Sequence, residues 1–326
     1  MITRQNTFFR MKSSIGITAW ILFLFFGSLL FLPGNGLCER KVFKPDETES
    51  FSPDANLLTI RVAGMHSGDS MLITMGDESM AVDLGTGSGM EQILEMFRAA
   101  GISKLDYFCN THPHEDHAGG FIPLVQTGFS IGSFITFFDH DYVGPSAPQK
   151  LTLRTAEKWN VPVVDKKTED RMTIGDAEIT FYRLPDQKYT WETSCNDFSA
   201  MLHIRFGDCA ILLAADVEIR SQAVLSRLYD LKADILKAPH HGASRIEQSF
   251  LDEVDPEYAF VTGGAGDSED VQKQLKKRGV CHINFSPWGM ITMQTDGTKW
   301  IVWQDFNPDM DPFIQRYLKS HPWLIV

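Results

Sequence analysis

A dense array of possible metal ligands lies in the first half of the chain. Three histidines and an aspartate fall within six residues, in the order His-x-His-x-Asp-His: His112, His114, Asp116 and His117. In an extended segment, residues two apart point the same way, so His112 and His114 can present imidazole nitrogens to one ion. Asp116 and His117 follow where the chain turns and can address a second ion. Imidazole and carboxylate ligands without thiolate suit zinc, manganese or iron, and they leave positions open for water.

Two later segments deliver polar residues in a similar way. The apolar run 210–215 predicts a buried strand that ends at Asp216, and the run 233–239 predicts another that ends at His240 and His241. A carboxylate at the end of an apolar strand can serve two ions at once, which makes Asp216 a candidate bridging ligand. The alternative is that Asp216 caps the helix predicted after it.

The elements around the array place it on a loop between a strand and a helix. Residues 105–110 form an apolar run that predicts a buried strand, and residues 118–122 have the pattern of a helix start. A further helix is predicted over 90–100, with Gly101 as its stop. Strand-rich and helix-bearing units occur in both halves of the chain, without a short internal repeat.

These segments together resemble the metallo-β-lactamase superfamily. The array resembles its second signature motif, and Met80-Ala-Val-Asp83-Leu-Gly85 resembles its first. More closely, the chain from about Leu57 to Trp303 resembles the extracytoplasmic hydrolase domain of ComEC-type competence proteins, here in a stand-alone form. The resemblance implies an α/β (α+β) fold of the αββα sandwich type, with two sheets face to face, helices outside and the site at one edge.

The resemblance also implies roles for residues outside the array. Asp83 is expected to stabilise the histidine loop without binding metal. Asp69 is expected to support the same loop from outside the ligand set. The alternative is that Asp69 only belongs to a turn between two strands. His241 is the preferred last ligand of the second ion because Gly242 matches the superfamily glycine that follows that ligand. His240 is then expected to contact the substrate or its leaving group.

The region that supplies a third histidine in the lactamases has none in this chain. Asn196 and Ser199 there match the ComEC-type Asn-x-x-Ser element and are expected to support the ligands. The first ion is therefore expected to be underligated, or completed by Asn196, Asp197 or water. Residues 265–270 also lack the histidine that the family usually carries, which weakens the case for a nuclease.

The ligand set implies hydrolysis with one or two divalent ions, zinc first and manganese as the alternative. A bound ion lowers the pKa of a coordinated water from about 15.7 to about 7, so hydroxide is available at neutral pH. Asp116 is the candidate to orient or deprotonate that water. The leading hypothesis is a phosphodiesterase, with single-stranded nucleic acid as a transient substrate. A small-ester hydrolase of the phosphocholine esterase or lactonase kind, and a binding module whose catalysis has lapsed, are the alternatives.

The N-terminus predicts export. Arg4, Arg10 and Lys12 precede an uncharged apolar run over 15–32, typical of a signal peptide or an uncleaved membrane anchor within residues 1–36. Residues 37–56 are polar and are expected to form a linker, followed by the hydrolase domain at 57–326. The expected location is extracytoplasmic, with the N-terminal segment as the only membrane contact.

Charge and cysteine content restrict the function further. The whole chain carries −12, and a chain beginning at Leu37 would carry −15 because it loses three cations and no acid. So acidic a surface opposes tight, salt-driven DNA binding but not hydrolysis of a phosphoester held at metals. The five cysteines are scattered and predict no disulfide framework, and Cys109 and Cys209 are expected to be buried apolar residues.

Overall fold

The computed structural model describes residues 41–306 except 46, 48–49, 67, 145–146, 186–194, 265, 267 and 281–282. The predicted signal or anchor at 1–36 lies outside these residues. Within them, no helix has the length and apolarity needed to cross a bilayer.

Two β-sheets form the centre of the described part of the chain. The first has nine strands in the order β1-β16-β15-β2-β3-β4-β5-β6-β7. Its short edge strand β1 lies in the stretch predicted as a linker and pairs in parallel with β16. The strands are β1 (Val42–Phe43), β2 (Leu58–Val62), β3 (Ser70–Met75), β4 (Glu78–Leu84), β5 (Lys104–Cys109), β6 (Ser130–Thr136), β7 (Val163–Asp165), β15 (Gly289–Thr295) and β16 (Trp300–Phe306).

The second sheet has seven strands among the described residues, in the order β14-β13-β12-β11-β10-β9-β8. Strands β11 to β14 run parallel to one another, whereas β8 to β10 form an antiparallel meander, and β10 is also antiparallel to β11. The strands are β8 (Arg171–Ile174), β9 (Ala177–Tyr182), β10 (Met201–Phe206), β11 (Cys209–Leu213), β12 (Ile235–Lys237), β13 (Tyr258–Val261) and β14 (Ile283–Phe285).

Helices cover the outer face of each sheet. They are α1 (Met90–Ala99), α2 (Glu115–Ala118), α3 (Phe121–Gln126), α4 (Gln149–Lys158), α5 (Ile219–Leu228), α6 (Gln248–Val254) and α7 (Glu269–Lys277). Apolar residues of α1, α3 and α4 pack on the first sheet, and those of α5 to α7 pack on the second. A third apolar cluster fills the space between the sheets. These four layers are the predicted αββα sandwich.

Burial on both faces explains why the strands are apolar runs. In β11, Ile211 and Leu213 point into the core between the sheets, whereas Ala210 and Leu212 point toward the helices. Successive strand residues face opposite sides, so a strand between two apolar layers needs apolar residues throughout. Cys109 and Cys209 are both buried in such strands, as expected.

The fold brings four strand ends together. Strand β5 runs parallel to β4 in the first sheet, and β12 runs parallel to β11 in the second. The residues that follow these strands therefore emerge at one edge of the sandwich. The helix predicted from residue 118 begins earlier, at Glu115, so Asp116 and His117 lie on a helical turn. The strand suggested by the apolar run 134–138 instead spans Ser130–Thr136, because backbone pairing with β5 defines it.

Candidate metal centre

Four predicted or supporting residues meet at the sandwich edge. One donor atom from each of Asp69, His117, Asp216 and His241 lies within 4.8 Å of the others. The Nε2 atoms of His117 and His241 are 3.3 Å apart, and they lie 3.2 and 3.3 Å from Asp216 Oδ2. These residues come from both sheets, so the centre joins the two halves of the fold.

Outer carboxylates determine which imidazole nitrogens face the centre. His117 Nδ1 lies 2.7 Å from Asp83 Oδ2, and His241 Nδ1 lies 2.9 Å from Asp69 Oδ1. Each carboxylate can accept the Nδ1 proton, so Nε2 is the nitrogen that each imidazole turns toward Asp216. Two imidazole nitrogens and a carboxylate oxygen then converge, an arrangement that needs a proton or a metal ion between them.

Asp83 also holds the rest of the histidine loop. It accepts hydrogen bonds from the Thr111 backbone N–H (2.8 Å), the Thr111 hydroxyl (2.7 Å) and the Asn110 side chain (3.1 Å). The Thr111 oxygen in turn lies 3.2 Å from His112 Nδ1 and can accept its proton. One buried carboxylate therefore orients two histidines of the array.

His112 and His114 lie next to this group. Their facing nitrogens, His112 Nε2 and His114 Nδ1, are 3.1 Å apart, and His112 Nε2 lies 3.8 Å from Asp216 Oδ2. Asp216 Oδ2 is thus within 4 Å of histidines from both groups, as a bridging carboxylate would be. It precedes α5 by several residues, and the residue at the N-cap of that helix is Glu218.

Cys195 completes a second group that the sequence interpretation missed. One donor atom from each of His112, His114 and Cys195 lies within 4.8 Å of the others, and Cys195 Sγ is 3.0 Å from His114 Nε2. Burial raises the pKa of the Cys195 thiol to about 11. The signal in the sequence was a lone cysteine at the start of the segment that lacks the third histidine.

Asn196 and Asp197, two of the candidates to complete the first site, also contact the start of α5. The Asn196 side chain donates to Glu218 Oε1 at 3.3 Å, and Asp197 accepts a hydrogen bond from the Ser221 hydroxyl at 2.6 Å. Both contacts lead to α5. Ser199 is fully buried, and its hydroxyl has no hydrogen-bond partner among the residues the structure describes.

Charges within the centre shift its pKa values in opposite directions. Burial lowers the pKa of His117, but the carboxylates of Asp216 and Asp83 outweigh burial and raise it to about 10. Burial, reinforced by His117, holds the pKa of His112 well below its ordinary value. At neutral pH a proton therefore takes the place between His117 and Asp216 that a metal ion would take, while His112 stays neutral and able to bind metal.

Asp116 and His240 occupy the rim. Asp116 Oδ2 lies 3.3 Å from His241 Nε2, and 36% of its side chain is exposed. Burial alone would raise the pKa of Asp116, but its bonds and charge contacts with His241 and His117 lower it to about 2. His240 Nε2 is 4.0 Å from Asp216 Oδ2, and its Nδ1 lies 3.0 Å from Glu218 Oε1. His241 thus lies in the cluster and His240 beside it.

A fully buried lysine lies beneath the ligands and was also missed. Lys237, the last residue of β12, forms ion pairs with Asp69 and, at 3.5 Å, with Asp216 Oδ1. Its ammonium also donates to the Ala215 carbonyl at 2.9 Å. Burial lowers its pKa, but Asp69 and Asp216 raise it above the ordinary value, so the lysine is charged. It balances two carboxylates that would otherwise repel each other.

The backbone around the centre is strained. Asp83, Ala215, His240 and His241 all have positive φ, between 46° and 57°. Residues with a Cβ rarely adopt this region, and such strain concentrates at functional sites. At Ala215, a glycine would adopt the same conformation without this cost.

Comparison with known proteins decides the family. The model of the metallo-β-lactamase superfamily matches residues 63–263, more than half of the chain. The chain belongs to the metallo-β-lactamase superfamily. This fold, with two groups of candidate ligands that include imidazoles, carboxylates and a thiol, supports a hydrolase that binds divalent metal.

Two curated proteins are similar in sequence to this metallo-β-lactamase-fold chain. Competence protein ComA of Neisseria gonorrhoeae is 25% identical over 267 residues, covering 77% of this chain and 35% of the relative. ComE operon protein 3 of Bacillus subtilis is 25% identical over 180 residues, covering 54% of this chain and 22% of the relative. The chain thus spans about a third or less of the length of either. Among solved structures, the metallo-β-lactamase fold protein YhfI of Bacillus subtilis matches at 16% identity and a TM-score of 0.48, covering 77% of this chain and 100% of YhfI.

Proposed function

We propose that this chain is an exported metal-dependent phosphodiesterase. The observation that carries the proposal is the position of Asp216, whose Oδ2 lies 3.2 Å from His117 Nε2 in one ligand group and 3.8 Å from His112 Nε2 in the other. A carboxylate shared in this way suits a pair of ions. Such a pair would supply an activated water and stabilise both oxygens of an in-line displacement at phosphorus.

The rim residues have the exposure and charge to act on a substrate. Asp116 is ionised at neutral pH and reaches solvent, so it can accept a hydrogen bond from an attacking water and orient it. His240 is one-third exposed, and Glu218 accepts its Nδ1 proton. Its Nε2 is therefore free to contact a phosphoryl oxygen or the leaving group.

The substrate class rests on the likeness to competence proteins. Similarity to proteins of that name and the ComEC-type motifs favour a phosphodiester, with single-stranded nucleic acid as a transient substrate. The charge of −12 opposes strong electrostatic binding of a polyanion. We therefore expect weak binding and turnover that depends on contacts at the centre itself.

Metal content and phosphodiester hydrolysis of the full-length chain test the proposal. Bis-p-nitrophenyl phosphate and a labelled single-stranded DNA are the probes, with Asp216→Asn as the disabled variant. Mutation of a residue that only hydrogen-bonds to a metal ligand typically reduces activity about 10–100-fold. Loss of Asp216, a ligand shared by two ions, should reduce activity by more than that. Asp234→Asn is the matched control. Asp234 lies just before β12 and outside the ligand groups, and its Oδ2 accepts hydrogen bonds from Ala210 N and Trp300 Nε1.

The outcomes separate the competing functions. Bound metal with turnover that fails in Asp216→Asn but not in Asp234→Asn supports the phosphodiesterase. Bound metal with hydrolysis of small carboxylic esters or phosphocholine esters alone would transfer the assignment to a small-ester hydrolase. Bound metal without either activity would leave a binding module, and a chain that binds no zinc or manganese would refute the proposal.

Export needs its own test. We propose that residues 1–36 direct the domain across the membrane, on the basis of Arg4, Arg10 and Lys12 before the apolar run at 15–32. Fusion of these residues to a phosphatase reporter that is active only outside the cytoplasm should yield activity. Replacing Leu22 and Leu24 with arginine should abolish it, and a reporter that stays inactive with the natural segment would contradict export.

A further inference from the structure

We propose that Cys195 is the third protein ligand of the first ion, in the place of the histidine that this chain lacks, and that it makes this position selective for zinc over manganese. The inference rests on the proposed metal-dependent function and specifies one of its ligands. It concerns a residue to which the sequence motifs assigned no role.

The donor atoms of His112, His114 and Cys195 lie close to one another. In a tetrahedral zinc site with Zn–N near 2.0–2.1 Å and Zn–S near 2.3 Å, neighbouring ligand atoms lie about 3.3–3.8 Å apart. His112 Nε2 and His114 Nδ1 are 3.1 Å apart, and one donor atom from each of His112, His114 and Cys195 lies within 4.8 Å of the others. His114 turns Nδ1 toward His112 and Nε2 toward Cys195 Sγ, at 3.0 Å, so an ion held by the three residues would bind one of these two nitrogens.

Contacts on two sides of its turn hold Cys195 in place. Cys195 begins a turn of 3-10 helix, Cys195–Phe198, and only 4% of its surface is exposed. This turn is fastened to the histidine loop by the bond from Ala200 N to Thr111 O, at 3.0 Å. Its side chains Asn196 and Asp197 attach it to the start of α5 on the other side. The thiol is thus held beside the histidines by two independent sets of contacts.

The Cys195 thiol contacts the Tyr142 side chain as well as His114. Cys195 forms no disulfide within the described part of the chain. Asn196 and Asp197, the alternatives on the same turn, direct their side chains to Glu218 and Ser221. Of the thiol and the carboxylate on this turn, Cys195 and Asp197, the thiol is therefore the one grouped with His112 and His114.

Ligand chemistry then predicts the metal. Coordination replaces the S–H bond of Cys195 with an S–metal bond and releases the proton to solvent. Thiolate together with imidazole favours zinc, whereas manganese prefers carboxylate, carbonyl and water oxygens. The position formed by His112, His114 and Cys195 should therefore take zinc and refuse manganese. The other group, with Asp69, His117, Asp216 and His241, carries no such restriction.

Cobalt substitution tests the proposal on the full-length chain. Co²⁺ bound to a thiolate produces a near-ultraviolet charge-transfer band, and Co²⁺ bound only to nitrogen and oxygen produces visible bands alone. We expect the band in the wild-type chain, its loss in Cys195→Ser and in Cys195→His, and retention of the metal by Cys195→His. Cys209→Ser is the matched control, since Cys209 is a buried free thiol at the far end of β11 from Asp216.

A second measurement needs no variant. X-ray absorption of the zinc-loaded wild-type chain should show a sulfur scatterer at about 2.3 Å in addition to nitrogen and oxygen. Zinc affinity at this position should fall by more than about 100-fold in Cys195→Ser, beyond the range for an outer hydrogen-bond partner of His114.

The results distinguish failure of this proposal from failure of the function. Bound metal with no charge-transfer band and no sulfur scatterer overturns the ligand role of Cys195 but leaves a metal-dependent hydrolase. A band that persists in Cys195→Ser also overturns it. A chain that binds no Co²⁺ or zinc overturns both. Filling of the first position by manganese as readily as by zinc overturns the predicted selectivity.

Discussion

At the scale of single residues, the centre depends on charges that never need to touch a substrate. Asp83 is fully buried, and it receives hydrogen bonds from Thr111, Asn110 and His117. It fixes the proton on His117 Nδ1 and so leaves Nε2 free for metal. The orientation of the His117 ring is thus determined by Asp83, a residue that does not itself bind the ion.

Replacing Asp83 with asparagine should weaken metal binding with little change in shape. An amide can donate to His117 Nδ1 and favour the wrong tautomer, so we expect metal affinity to fall about 10–100-fold. Competition with a chromogenic chelator measures the change. Asp106→Asn is the control, because Asp106 accepts hydrogen bonds from Ser79 on the same sheet. Equal affinities in both variants would contradict the role assigned to Asp83.

Lys237 should be important for stability. Lys237→Met removes a fully buried charge and leaves Asp69 and Asp216 uncompensated, which should cost about 3–5 kcal/mol of unfolding free energy. Lys232→Met, which removes the exposed pair with Asp255, should cost no more than about 1 kcal/mol. Urea unfolding of both variants without metal gives the comparison. Similar losses would show that Lys237 does not neutralise the centre.

At the scale of elements, the loop that carries the array is held against the end of β4. The Gly120 backbone N–H donates to the Gly85 carbonyl at 3.0 Å. A Cβ at Gly120 would press on the Leu84 carbonyl and lie 3.1 Å from the Leu84 Cβ. The absence of a side chain at Gly120 lets α2 and α3 approach the sheet closely enough to place His117.

Gly120→Ala should therefore move the histidine loop outward. We expect a cost of about 1–3 kcal/mol in unfolding free energy together with weaker metal binding. Gly87→Ala is the neighbouring control, because its added Cβ would meet Gly119 O at an ordinary 3.6 Å. Thermal unfolding with and without zinc measures both effects, and an unchanged metal affinity in Gly120→Ala would refute this account.

His203 fastens β10 to the connection before β12. Its Nε2–H donates to the Lys232 carbonyl at 2.9 Å. Burial lowers the pKa of His203, and its bond to Lys232 only partly offsets this. Below about pH 6.5, the unfolded chain therefore binds a proton that the folded chain refuses, and stability falls as pH falls.

His203→Gln should reduce this acid sensitivity. The amide can still donate to Lys232, but it does not titrate, so the variant should lose less unfolding free energy than the wild type between pH 7.5 and about 5.5. The difference in unfolding free energy between the variant and the wild type can change by at most about 1.4 kcal/mol for each pH unit. His140→Gln, at an exposed position on Asp165, is the control. Parallel pH profiles for wild type and His203→Gln would exclude the effect.

At the scale of the whole molecule, the candidate ligands come from both sheets. His112, His114 and His117 follow β5 of the first sheet, whereas Asp216 and His241 follow β11 and β12 of the second. A bound ion therefore ties the sheets together and stabilises only the folded chain.

Removal of metal should lower the stability of the whole domain. A chelator should decrease the unfolding free energy by about 2.7 kcal/mol when the ion had been present at about 100 times its dissociation constant. Chemical unfolding with zinc and with chelator measures this. Asp216→Asn should show almost no difference between the two conditions. A wild-type chain that unfolds identically in both would argue against a metal that bridges the sheets.

Local patterns were sufficient for the general architecture. Strands such as β11 are buried on both faces, so their apolar runs were visible without tertiary information, and the helix at Met90–Ala99 showed its period in the same way. The family motif at His112 to His117 was visible because its members are close in the chain. Residue type and spacing thus indicated the fold, the array and the chemistry of hydrolysis.

The remaining features depend on contacts between distant segments. Cys195 lies 81 residues from His114, and Lys237 lies far along the chain from Asp69, so no local pattern could connect them. Which of the two neighbouring histidines enters the cluster depends on positive φ at both, a backbone conformation that sequence does not display. A metal centre is defined by distances of a few ångströms between side chains, and those distances exist only after both sheets have packed.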